Sequence, residues 1–169
     1  MKIKRFPARS FYSDKYIIDK VSLIHSVDSL SLCEEIERQA AKRGIVMNVL
    51  CEVNIGEEEN KSGFLPDEVP AAFEKMLAFG HVRPLGLMTM APKCQISADY
   101  IKFFTKTYRL FIDNCVQKVD NRYKPVLSMG MSDSYRQAVQ CGATMIRVGS
   151  AVFGERTAEI KNEIKRKGI

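Results

Sequence analysis

The sequence predicts an α/β protein built on a parallel sheet, and two observations carry that prediction. Five short segments, 21–27 (VSLIHSV), 47–55 (MNVLCEVNI), 84–90 (PLGLMTM), 126–131 (VLSMGM) and 144–148 (TMIRV), are β-rich and near-continuously apolar. Such runs are expected of strands buried on both faces rather than on one. The stretches between them are too long for hairpins and carry helical periodicity, which requires parallel crossovers.

The helices follow in order. Ser31 and Glu34 have capping-box spacing, Leu32, Cys33, Ile36 and Ala40 form an apolar stripe, and Gly44 stops the first helix. Asp67 can cap a second helix carrying Phe73, Met76 and Leu77, with Gly80 at its end. Ser97 opens the longest helix, with Ile101, Phe104, Tyr108, Phe111 and Cys115 three or four residues apart. Tyr135, Ala138 and Val139 give the fourth an apolar face, and Gly142 ends it. Two architectures accommodate this pattern. A doubly wound sheet closes with five strands, whereas a (β/α)8 barrel needs eight and about 250 residues, so this chain would supply part of one.

At 169 residues the chain is one domain in size, and its 46% hydrophobic and 27% charged residues are ordinary globular values. No apolar run approaches the roughly 18 residues of a membrane span, and no signal-peptide apolar region is evident, so no membrane partner is expected. The five cysteines are odd in number and scattered, without a C-x-x-C pair. Reduced thiols, a cytoplasmic location and no zinc or other metal are the resulting expectations. The net charge of +6 sits mainly at the ends, with +3 in residues 1–14 and +2 in residues 155–169. A near-neutral body argues against a specific nucleic-acid face.

Chemistry is expected at the carboxyl ends of the strands, where ligands bind in either architecture. In SMGMSDS (128–134), Gly130 permits a tight turn, and Ser132 offers a hydroxyl beside unpaired backbone N–H groups at the predicted start of a helix. A plain serine cap is the simpler reading of that turn alone. RVGSAVFG (147–154) repeats the design: Gly149 admits close approach of the backbone and Ser150 adds a hydroxyl and an N–H. Two adjacent strand-to-helix turns of this kind match the phosphate site after the last strands of many barrels. Arg147, inside a strand expected to be buried, needs a partner, which could be a carboxylate or a ligand.

Other segments are quieter. NIGEEENKSGF (54–64) looks like a phosphate loop but has Asn60 before Lys61 and three glutamates, so a solvated acidic loop is expected. Met88 and Met90 read as core filler or as the floor of a pocket. The chain has no G-x-S-x-G, G-x-G-x-x-G or H-E-x-x-H motif, and His25 and His81 are read as ordinary hydrogen-bonded or surface histidines.

Taken together, IHSVDS (24–29), VNIGEEENKSGF (53–64), RPLGLMTMAP (83–92), LSMGMSDSYRQAV (127–139) and GATMIRVGSAVFGER (142–156) resemble the YggS/PROSC family of pyridoxal phosphate (PLP) homeostasis proteins. The resemblance implies an incomplete parallel (β/α) barrel of the PLP-binding alanine racemase N-terminal type, with about five of eight strands. It implies PLP as cofactor and a non-catalytic function in vitamin B6 and amino-acid pool homeostasis. It assigns cofactor binding to Ser128, Met131, Ser132, Arg147, Gly149 and Ser150, the phosphate falling to Ser132, Gly149 and Ser150. In related racemases an arginine two residues before the glycine faces the pyridine nitrogen, and Arg147 holds that place. An arginine there disfavours ring-nitrogen protonation and weakens PLP as an electron sink.

The resemblance also marks a departure. Family members begin with a helix and three strands, the first bearing the lysine that anchors PLP, and these have no counterpart here. Residues 1–14 read as an atypical leader and 15–169 as the C-terminal part of the barrel, with no lysine in the anchoring motif. PLP is then expected to bind weakly, through its phosphate, in an impaired protein. Open sheet edges make self-association an expectation. The rival readings are a racemase-like or other phosphate-ligand barrel enzyme, and a basic nucleic-acid-binding module.

Overall fold

The computed structural model describes residues 18–154. The leader expected at 1–14 and the basic residues after 154 lie outside the described residues. The elements are β1 (Ile24–Val27), α1 (Leu30–Ala41), β2 (Met47–Val53), α2 (Val69–Leu77), β3 (Val82–Thr89), α3 (Ser97–Phe111), β4 (Val126–Ser128), α4 (Tyr135–Gln140) and α5 (Ser150–Phe153). A π turn, Ile112–Val116, extends α3.

All strand pairs are parallel, and the spatial order is the sequence order, β1-β2-β3-β4. A doubly wound sheet reverses its order at a switch point; this one does not, so the barrel arrangement is the one present. The curvature agrees. In a flat sheet β1 and β4 would lie about 14 Å apart, three strand spacings. Instead, His25 Nδ1 on β1 lies 3.2 Å from Ser128 Oγ on β4. The sheet therefore curls until its first and fourth strands face one another across an interior.

The fifth predicted strand is reduced to a bridge pairing Ser128 with Met145. The cause is the preceding segment: β4 stops at Ser128 because Gly130 adopts φ +88°, outside extended space. Residues 144–148 still run alongside, with Met145 N–H donating to Leu127 O and Arg147 N–H to Gly130 O. The described sheet thus has four strands where five were expected.

Helix ends and faces differ from expectation in instructive ways. The cap of α1 is Ser29, whose Oγ accepts from Leu32 N–H at 3.3 Å, and not Ser31, which donates to Ser29 instead. The start of α2 is organised by Glu68, whose carboxylate accepts from Leu65 N–H at 2.8 Å, rather than by Asp67. On α3 the buried face is Tyr100, Phe104, Thr107 and Phe111, while Ile101 and Tyr108 are exposed. Thr107 can be buried because its hydroxyl donates to Phe103 O at 2.9 Å. Val139 is exposed and Ala138 fully buried on α4.

The outer core between sheet and helices contains Leu32, Ile36, Val49, Phe73, Met76, Leu87, Phe104 and Leu127. Three of the five free cysteines, Cys33, Cys51 and Cys115, are fully buried. Burial pushes the Cys33 and Cys115 thiols up to about 12, and drives Cys51 upward as well. Reactivity belongs to the thiolate, so native protein is expected to alkylate only at Cys94 and Cys141, the half-exposed pair. Peptide mass mapping before and after unfolding checks this; labelling of Cys51 under native conditions would contradict it. The same shifts have an alkaline consequence. Below pH 9 these thiols are protonated whether the chain is folded or not. From pH 9 towards 12 the unfolded chain alone loses their protons, so stability falls through that window.

Candidate functional site

The carboxyl ends of β2, β3 and β4 open on a cleft of about 440 Å³ whose walls include Asn54, Lys61, Met90, Tyr100, Met131 and Ser134. One wall is the acidic loop, whose glutamates are exposed as expected. Asn54 organises it from within, Nδ2 donating to Glu58 O at 2.9 Å and Oδ1 accepting from Glu58 N–H at 3.2 Å. Gly63 closes the loop at φ +114°, where an added Cβ would lie 2.7 Å from Asn54 N.

Beside this cleft the two glycine turns are zipped together. The backbone ladder runs from Met145 N–H on Leu127 O to Arg147 N–H on Gly130 O at 3.0 Å. Its next rung changes character. Gly149 N–H donates to Ser132 Oγ at 3.3 Å, and Ala151 N–H to the same oxygen at 3.2 Å. Two backbone donors, one at the cap and one in the first turn of α5, thus converge on a single oxygen that belongs to a movable side chain. An added Cβ at Gly149 would meet nothing within 4 Å, so there is open space beside those donors. Ser132 does not cap the helix that follows it in sequence. That turn is closed by Ser134, whose Oγ accepts from Met131 N–H at 3.2 Å.

Arg147 reaches onto the ends of two strands. Its Nη1 donates to Ser128 O at 3.0 Å and to Ser128 Oγ at 2.7 Å, and its Nη2 donates to Thr89 O at 2.9 Å. One planar guanidinium therefore ties together the carboxyl ends of β3 and β4, as its fixed fork of donors suits it to do. Of the residues expected to form the site, Ser132 and Gly149 meet in the turn cradle, and exposed Ser150 follows as the first residue of α5. Ser128 and Arg147 meet in the barrel interior, and Met131 lines the cleft. His25, read from the sequence as an ordinary hydrogen-bonded or surface histidine, is hydrogen-bonded to Ser128, and Thr89 was not singled out. The available signal was position: each is a polar residue inside an apolar strand run, and both are buried. Among the described residues there is no group of three or more His, Cys, Asp or Glu side chains able to hold a metal ion, and no helix long and apolar enough to cross a membrane.

The family model described as "Alanine racemase, N-terminal domain" matches residues 12–157. The chain belongs to the alanine racemase N-terminal domain family. Its relatives in this family include the pyridoxal phosphate homeostasis protein of Aquifex aeolicus, 42% identical over 142 residues, covering 84% of this chain and 61% of the relative. The corresponding Helicobacter pylori protein is 36% identical over 137 residues, covering 80% and 59%. The chain thus spans about three fifths of the length of these relatives. Among solved structures, PipY of Synechococcus elongatus without PLP superimposes with a TM-score of 0.75 at 29% identity, covering 90% of this chain and 69% of PipY. PipY with PLP bound gives 0.73 at 26% identity, covering 90% and 68%. An alanine racemase of Clostridium difficile, at 15% identity and TM-score 0.67, shares the fold of this family.

Proposed function

We propose that this chain binds pyridoxal phosphate through its phosphate group and acts in PLP homeostasis in the cytoplasm rather than as an amino-acid enzyme. The observation that carries the reading is the convergence of Gly149 N–H and Ala151 N–H on one oxygen, with open space beside Gly149. A phosphate oxygen needs donors of this kind, and backbone N–H groups at a turn supply them without a counter-charge. The donor set therefore fits the group. Ser132, Gly149, Ser150 and Ala151 would hold the phosphate, with the Ser132 hydroxyl turning to donate where it now accepts. Ser128 and Arg147 would form the floor and Met131 a wall. When bound, PLP supplies a reactive aldehyde and an electron-withdrawing ring. The support from relatives is their name and the PLP held by PipY.

Titration of the purified chain with PLP, followed by absorbance, tests the reading. Saturable binding that inorganic phosphate competes away is expected, and Ser132→Ala should weaken it roughly three- to tenfold, the size of one neutral hydrogen bond. Borohydride reduction with peptide mapping should give scattered, substoichiometric lysine labels. One stoichiometric label would show a covalent anchor and overturn the phosphate-held reading. Self-association is part of the same proposal, supported by the edge of β1, which has no further strand beside it among the described residues, whereas the segment 144–148 covers β4. Sedimentation that gives a monomer at all concentrations would remove it.

A further inference from the structure

His25 belongs to β1, the strand farthest in sheet order from β4, yet it is buried and lies against Ser128. Ser128 Oγ has two described contacts, Arg147 Nη1 at 2.7 Å and His25 Nδ1 at 3.2 Å. A guanidinium can only donate, so Oγ accepts from Arg147, and its second hydrogen bond, to His25 Nδ1, fixes where the hydroxyl stands. The chain of bonds runs Arg147 to Ser128 to His25, from the segment after β4 across the interior to β1.

We infer that His25 is a positioning residue for Arg147: through its hydrogen bond with Ser128 Oγ it fixes the rotamer of Ser128, and with it the guanidinium that forms the floor beside the Gly149 cradle. The ring end of a ligand whose phosphate occupies the cradle would lie over that floor, which sits two residues before Gly149. This inference rests on the PLP reading above. It separates two parts of one site. The cradle, built on the backbone of Gly149 and Ala151, recognises phosphate without help from His25. The floor, built on Arg147, recognises the rest of the ligand and depends on His25.

Two measurements on the full chain test this. In the ligand-free protein, nitrogen–proton correlation spectra report the Arg147 Nε–H signal. His25→Phe and Ser128→Ala should displace that signal alike, whereas His25→Asn, which offers an amide oxygen near the place of Nδ1, should leave it close to wild type. In binding, His25→Phe should weaken PLP about tenfold while inorganic phosphate stays within twofold. The double variant H25F/S128A should be no weaker than S128A, since both changes break one chain of bonds. An unmoved Arg147 signal in His25→Phe, additive losses in the double variant, or equal losses for PLP and phosphate each overturn the inference. Should His25→Phe fail to fold, Ser128→Ala and His25→Asn carry the same comparison. Wild-type protein that ignores PLP, with the Arg147 signal still responding to position 25, would refute the PLP reading and leave the positioning role standing.

Discussion

Arg147→Met is expected to lower the unfolding free energy by about 3 kcal/mol and to weaken PLP binding at least tenfold. The guanidinium donates to three acceptors, Ser128 O, Ser128 Oγ and Thr89 O. Ser128 and Thr89 are themselves fully buried. Hydrogen bonds from a charged donor contribute about 1.5–3 kcal/mol each, and a buried acceptor left unpaired costs a further share. These contributions are not additive, because the three bonds share one rigid group. Methionine restores most of the volume, so the loss reports polar satisfaction and not a cavity. Arg147→Lys should recover only part of it: an ammonium lacks the planar fork that reaches β3 and β4 together. Urea unfolding at constant m-value is the measurement. A midpoint for Arg147→Met indistinguishable from wild type would mean that the strand ends hold without the guanidinium.

That prediction could not have been made from the sequence, and the reason is physical. Arg147 stands out in TMIRV as a charge in an apolar run, so its need for a partner was legible. The partner was not, because Thr89 and Ser128 accept through atoms whose positions depend on how far the sheet curls. The same holds for His25, 103 residues from Ser128. In contrast, local features were readable: the apolar strands, the stripe on α1, and the Gly130 and Gly149 turns follow from periodicity and backbone sterics alone. The errors also have a common origin. Ser29 displaced Ser31 as the cap of α1, Thr107 displaced Tyr108 from the buried face of α3, and Ser132 accepts from N–H groups at the start of α5 rather than α4. In each case a hydroxyl found a hydrogen-bond acceptor or donor that one-dimensional spacing does not reveal. The choice between barrel and doubly wound sheet was likewise open, since strand order is a tertiary property.

Gly130→Ala is the sharpest test of how the cradle is built. Gly130 adopts φ +88°, and a Cβ there would lie 2.5 Å from Ala138 Cβ and 3.0 Å from Tyr135 Cα. Backbone strain of this kind costs on the order of 1–3 kcal/mol, and forcing a methyl into packed α4 costs a comparable amount. A total near 2–4 kcal/mol is expected, because Ala138 is fully buried and Tyr135 Cα is part of the helix backbone, so neither can yield cheaply. The functional consequence follows from the ladder. Gly130 O accepts Arg147 N–H, and two residues later Ser132 Oγ takes Gly149 and Ala151 N–H. Relief of the clash moves α4 away from the turn and shifts Ser132 against α5, so inorganic phosphate and PLP should both lose affinity. This separates Gly130→Ala from His25→Phe, which should spare phosphate. Gly149→Ala supplies the control: an added Cβ there meets nothing within 4 Å of the protein, so stability should change by less than about 1 kcal/mol. Its methyl occupies the space left for the ligand, so binding should fall while the fold stays intact. Equal stability of Gly130→Ala and wild type would show that the turn can be made without its left-handed glycine, and the cradle would need another explanation.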